Sequence, residues 1–292
     1  MASSLSILGN MHWRFGVPDS AIIYWKHALT IVREAGDRTA EQGILSSLAN
    51  LHAQLQRPDS AEYYFQQSLL RIRANADRAA EVRALTNLGS FYQWRSGGPP
   101  KLAAARARYD SAAAIAASLS PSAGSAANRT SSLERDRELF GRWVSAWLAG
   151  STADSVANVL AALAAAEQGR AQALLHMMGT AAERSEQSSQ YAKPGRDLRA
   201  EAERLVGEVK RLGSSALVYF VDQDTLAVWF IPQSGPVKLS RHPIAYDSLA
   251  ALGRSATRTA GALIPFAALP VGAANEPLGI RYAVRYAPRS QH

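Results

Sequence analysis

From Leu5 to Leu119 the apolar residues return every three or four positions, the period of helices with one buried face, and the pattern itself repeats at a spacing of 40 residues. Leu8, Asn10 and His12 fall on Leu48, Asn50 and His52; Gly9 falls on Ala49. Pro18-Asp19-Ser20-Ala21 falls on Pro58-Asp59-Ser60-Ala61, Leu29 on Leu69, Asp37-Arg38 on Asp77-Arg78, and Glu41 on Glu81. A third copy begins with Leu88, Gly89 and Tyr92 in register, takes in four extra residues at "SGGPP", and resumes with "ARARYDSAAAIAASL". Each copy predicts two helices joined by a turn, with Asp19 and Asp59 as N-caps of the second helix. Small residues (Gly9, Ala21, Ala28) let the paired helices approach, and Leu8, Trp25 and Leu29 fill the space between units.

Beyond the repeats, 119–132 is rich in Ser, Ala and Gly and predicts a loop. Residues 133–178 read as further helices that extend or cap the array: Leu133, Phe140, Val144 and Trp147 share one face, and an Ala-rich helix or helix pair follows. A polar linker spans 179–196, and a helix starts near Arg196. The period then switches from 3.6 to 2. "SALVYFVD", "TLAVWFI" and "VKLSRH" predict three strands, the first two joined by a tight Gln223-Asp224 turn. The first two strands are apolar on both faces, the mark of a sheet covered on both sides. "AYDSLAALGRS" predicts a short helix, and "GIRYAVRYA" near the chain end alternates like a half-buried strand.

The repeat residues resemble the tetratricopeptide (TPR) repeat. Its small-large signature maps onto Leu8, Gly9, Ala21, Trp25 and Ala28, then Leu48, Ala49, Ala61, Phe65 and Ser68, then Leu88, Gly89, Ala105, Tyr109 and Ala112. The usual proline near the end of the second helix is missing, and the spacing is that of the longer, kinesin-light-chain kind. The resemblance implies a groove lined by the first helices that takes a peptide or protein. Its positions carry over to Ser6, Asn10, Trp13 and Arg14, to Ser46, Asn50 and Gln54, and to Arg83, Thr86, Ser90 and Trp94. Asn can hold a peptide backbone in either direction, and aromatic and Arg side chains supply interface hot spots. Asn10 and Asn50 can equally serve as bridges between adjacent repeats. The lysines of the chaperone-tail carboxylate clamp are not at these positions.

"AAEQGRAQALLHMM", "ALVYFVDQDTLAVWFI" and "IPFAALPVGAANEPLGIRYAVRYAPRS" resemble, in order, the leading helix, opening hairpin and pre-core segment of the CHAT domain, a caspase-like module commonly fused to TPR arrays. The resemblance implies a cysteine peptidase with a His and a Cys, both downstream of the segment matching "YAPRS". The chain has no Cys, and a helix and a core strand are expected to be missing between Arg254 and Ile264. The expected fold is therefore mainly α: a TPR-like α-solenoid over 1–118 and 133–178, then a small α/β portion over 197–292 resembling a truncated CHAT domain. The expected function is a protein- or peptide-binding scaffold without catalytic residues in this chain. The alternative is the N-terminal part of a longer TPR–CHAT peptidase whose dyad lies beyond it. In either case the apolar strands of the last third predict loose or partner-dependent packing.

Composition refines this little. The formal charge is +8, with 32 basic residues against 24 acidic ones. The basic residues are scattered Arg rather than a run, so nucleic acid is not the expected partner. Without Cys there is no disulfide framework or thiolate metal site, and no His-x-x-x-His or Gly-rich phosphate loop is present, so neither metal nor cofactor is expected. His12 and His52 occupy a packing position. The N-terminus has no basic, apolar leader and no 18-residue apolar run occurs, which predicts a cytoplasmic protein without membrane spans.

Overall fold

The computed structural model describes residues 1–95, 101–119, 126–149, 155–177, 195, 197–222 and 225–243. It is mainly helical, with a small antiparallel sheet toward the C-terminal end. The chain forms two compact units: Met1–Gly150 with Ala171–Arg196, and Ser151–Arg170 with Asp197–His292.

In the first unit, α1 (Ala2–Arg14) pairs with α2 (Pro18–Glu34), α3 (Arg38–Gln54) with α4 (Pro58–Ala74), and α5 (Arg78–Ser90) with α6 (Leu102–Ser118). Each second helix also packs on the first helix of the next pair, and α6 packs on α7 (Ala126–Trp147). A π-helical turn, Phe91–Arg95, continues α5 ahead of the inserted segment. Trp25, Leu29 and Val32 of α2 form one core with Leu45, Leu48 and Leu51 of α3. Helix approach is set by residue size. A Cβ on Gly9 would lie 2.5 Å from the Trp25 ring, and one on Gly89 would lie 2.7 Å from Tyr109.

The helix starts differ from expectation. Pro18 and Pro58 take the first helical position, which places Asp19 and Asp59 second; the N-caps are Val17 and Arg57, with no side-chain cap. The capping carboxylates belong to the other half of each repeat. Asp37 accepts from the Ala40 N–H and Asp77 from the Ala80 N–H, both at 2.9 Å. One turn inside each capped helix stands a buried acid. Glu41 receives Arg33 of α2 at 2.8 Å and Arg71 of α4 at 3.2 Å; Glu81 receives Arg73 of α4 and Arg78 at 2.8 and 2.7 Å. These carboxylates fasten each second helix to the next first helix. Helix α7 begins at Ala126, inside the stretch expected to be loop, so 126–132 is helical.

In the second unit, residues Val156–Arg170 are the first part of α8 (Val156–Met177), a single helix. Helix α9 (Leu198–Arg211) is capped by Asp197 and buries Leu198, Ala202 and Val206. Strands β1 (Ala216–Asp222), β2 (Thr225–Ile231) and β3 (Lys238–Pro243) form a meander in that order. Asp222 faces Thr225 in the ladder, as a two-residue turn requires; Gln223-Asp224 itself lies outside the described residues. The register pairs Val218 with Trp229 and Phe220 with Ala227, and all four are buried on one face. The Trp229 indole donates to the Val159 carbonyl of α8 at 3.0 Å. On the opposite face Leu217, Tyr219 and Val228 are half-buried and Phe230 is exposed, so the described residues cover one side of the sheet. "AYDSLAALGRS", the 254–264 stretch and "GIRYAVRYA" lie outside the described residues, as does nearly all of the linker.

Candidate functional site

The first helices carry the positions that the repeat makes equivalent. Asn10, Asn50 and Ser90 occupy one position in α1, α3 and α5; Asn10 is exposed and the other two are half-buried. Arg14, Gln54 and Trp94 occupy a second position and are exposed in all three repeats. The Trp13 indole donates to the Gln54 side chain at 3.0 Å, which ties the surfaces of α1 and α3 together. Trp13 also meets the core Trp25 edge-on at 6.0 Å, so its ring is supported from below. Arg83 is exposed on α5.

Two of the carried-over groove positions turn inward. Thr86 is buried and donates to the Val82 carbonyl at 2.8 Å. Ser46 shares a 2.8 Å hydrogen bond with Ser68 of α4. Ser90 is tied into the fold: its hydroxyl donates to the Thr86 carbonyl at 2.9 Å and lies 3.2 Å from the Tyr109 hydroxyl. Tyr109 in turn donates to Gln93 at 3.0 Å, and Gln93 donates to Ser145 of α7 at 3.3 Å.

Helix α7 adds residues that the sequence reading did not place here. The Arg142 guanidinium donates to Ser90, pairs with Glu138 at 2.6 Å and lies 5.8 Å from the centre of the Trp94 ring. Arg142 thus stands beside the row begun by Asn10, Asn50 and Ser90. The signal is present in the sequence: Phe140-Gly141-Arg142 repeats the pattern of Leu8-Gly9-Asn10 and Leu88-Gly89-Ser90. It was hidden by its irregular spacing from the third copy.

The electrostatics of these helices are one-sided. Across α1, α3 and α5 the only carboxylates are Glu41 and Glu81, and both are buried against arginines. Their exposed charges, including Arg14 and Arg83, are cationic. The second helices, by contrast, carry exposed acids such as Asp19 and Asp59. Along α1, α3 and α5 the exposed charge is cationic, which favours an anionic ligand; α7 adds the exposed Glu138, held in an ion pair by Arg142.

His52 is a buried titratable group of α3. Its ring stacks on Tyr64 at 5.3 Å, as His12 stacks on Tyr24 at 5.0 Å. Neither ring nitrogen of His52 has a hydrogen-bond partner among the described residues. Burial, then the charges of Arg57 and Lys26, hold its pKa below the ordinary histidine value. At the equivalent place Tyr92 donates to Glu62 at 2.8 Å, and burial with that bond raises its pKa.

Among the described residues no group of three His, Asp or Glu side chains is placed to hold a metal ion, and no helix is long and apolar enough to cross a membrane. No family model matches the chain, nor does any curated protein.

Proposed function

We propose that α1, α3, α5 and α7 line one face of a TPR-type α-solenoid that holds a peptide or protein segment bearing carboxylates. The observation that carries this reading is the segregation of charge. Helices α1, α3 and α5 combine exposed Arg14 and Arg83 with repeat-equivalent Asn10 and Asn50, while their only acids are buried and paired, and the exposed Glu138 of α7 is ion-paired with Arg142. Asn side chains supply a donor and an acceptor for an extended backbone, and Trp13 and Trp94 supply aromatic contact surface. The 40-residue hairpin repeat and the Gly9–Trp25 and Gly89–Tyr109 contacts support the solenoid reading. The second unit is read as the opening part of a CHAT-like domain, since an Ala-rich helix precedes an apolar hairpin in the order of that family. It contributes no thiolate nucleophile, because the chain has no Cys, and the scaffold reading requires no cofactor.

The test is titration of the purified chain with labelled peptides rich in Asp and Glu, each set against its Asn and Gln counterpart. The acidic peptides are expected to bind, and Asn50→Ala combined with Arg83→Ala to weaken them by about tenfold, some 1.4 kcal/mol. Unchanged affinity in the double variant, or equal binding of the amide counterparts, would remove the groove.

A further inference from the structure

A different face of α1 is left uncovered. Ser4, Leu8, Met11 and Phe15 follow one another at the spacing of a single helical stripe. The same positions in α3 are Ile44, Leu48, Leu51 and Leu55, and the first three are 5, 0 and 2% exposed beneath α2 of the preceding repeat. In the third repeat Leu88 and Phe91 are each 2% exposed, with Phe91 against Phe65 of α4. In α1 no helix among the described residues fills this place: Leu8 is 39% exposed, Met11 46% and Phe15 74%. The stripe is distinct from the side of α1 that carries Asn10 and Trp13 and from the side where Gly9 meets Trp25, and the exposed Arg14 borders it next to Ile7.

Two departures from the repeat indicate what covers it. Inside the array, the covering helix brings an arginine, Arg33 or Arg73, to the buried Glu41 or Glu81. The equivalent residue in the first repeat is Met1, so a helix of that kind would find no carboxylate. Beside the stripe, where the other repeats carry Ser47 and Asn87, the first carries Ile7, 58% exposed. The exposed apolar side chains of α1 therefore extend sideways to Ile7, where the internal repeats are polar. No Asp, Glu, Lys or Arg occurs between Met1 and Trp13.

We infer that this face seats a second copy of the chain, α1 against α1 about a twofold axis. An isologous contact sets the same surface patch of each copy against that of its partner, and here that brings apolar side chains together with the bordering Arg14 guanidinium left at the solvated rim. Ile7, Leu8, Met11 and Phe15 expose roughly 500 Å² of side chain, a large share of the roughly 800 Å² each partner gives to a standard interface. Val17, 44% exposed just beyond α1, lies close enough in sequence to extend the patch.

The experiment is sedimentation or light scattering of the whole chain at micromolar concentrations, alongside the variant Met11→Lys with Phe15→Lys. Both substituted residues are well exposed, so the variant keeps the helical content of the parent by circular dichroism; if it does not, the fully polar change Ser4→Lys takes its place. A parent of twice the 31.4 kDa chain mass and a folded variant of single mass are expected. A monomeric parent overturns the proposal, because the face then serves another occupant. A dimer that survives the substitutions overturns it as well, because the copies then meet elsewhere.

Discussion

At position 9 a missing methyl group decides how near two helices stand. The three repeats pair Gly9 with Trp25, Ala49 with Phe65 and Gly89 with Tyr109. Glycine accompanies the two larger rings and alanine the smaller one. Gly9→Ala improves helix propensity by up to about 1 kcal/mol, yet its Cβ would meet a Trp25 ring that is 1% exposed and has nowhere to move. Overpacking of this kind costs about 1–3 kcal/mol, so a net loss of stability is expected in chemical denaturation. Adding Trp25→Phe should recover part of it, giving a coupling energy that is absent if the sites act independently. His52 supplies the pH-sensitive counterpart. Its folded pKa lies below the unfolded one, so the unfolded chain binds the extra proton first as pH falls. Stability is full above the unfolded pKa of about 6.5 and declines as pH drops below it toward the folded value. His52→Tyr, the residue found at the equivalent position 92, should remove this component of the melting-temperature slope between neutral pH and pH 5. A slope identical in parent and variant would mean His52 is not its source.

Helix termini show where the sequence could be read and where it misled. Pro-Asp-Ser-Ala at 18 and 58 marks a helix start, but proline at the first helical position pushes the aspartate past the capping site. Asp37 and Asp77, noted only as matching residues, are the true caps. Asp37→Ala is therefore expected to cost about 1 kcal/mol in denaturant melts, whereas Asp59→Ala should change stability by no more than about 0.5 kcal/mol. Equal losses would contradict the assignment. The two-helix period, the inserted third copy and the three strands were legible because they rest on local periodicity. The roles of Glu41 and Glu81 were not, since periodicity says nothing of which arginines two turns away in space will surround a carboxylate. Exposure at the proposed face was legible in part: Asn10, Trp13, Arg14 and Trp94 are at the surface, while Thr86 and Ser46 are turned inward by hydrogen bonds that only neighbouring backbone and helices dictate. Arg142 escaped because its repeat arrives out of phase.

Over the whole molecule, the excess of arginine acquires meaning only through its placement. A charge of +8 spread evenly would favour any polyanion. Here the acids of the first two hairpins are sorted instead, absent or buried on α1 and α3 and displayed on α2 and α4, so the two sides of these hairpins present different electrostatics to a partner. The same repeat logic governs the apolar surface. The stripe that is covered in α3 and α5 is exposed in α1 among the described residues, and Ile7 adds an exposed apolar side chain beside it.

The exposed stripe of α1 also bears on time. Helices of the first unit rest mainly on those adjacent in sequence, so one hairpin can open without dragging the next along. With its stripe exposed where those of α3 and α5 are covered, α1 is expected to open more readily than α3 and α5, and its backbone amides to trade protons with water sooner than theirs. A second copy laid over the stripe would remove that difference, slowing exchange in α1 as the pair forms.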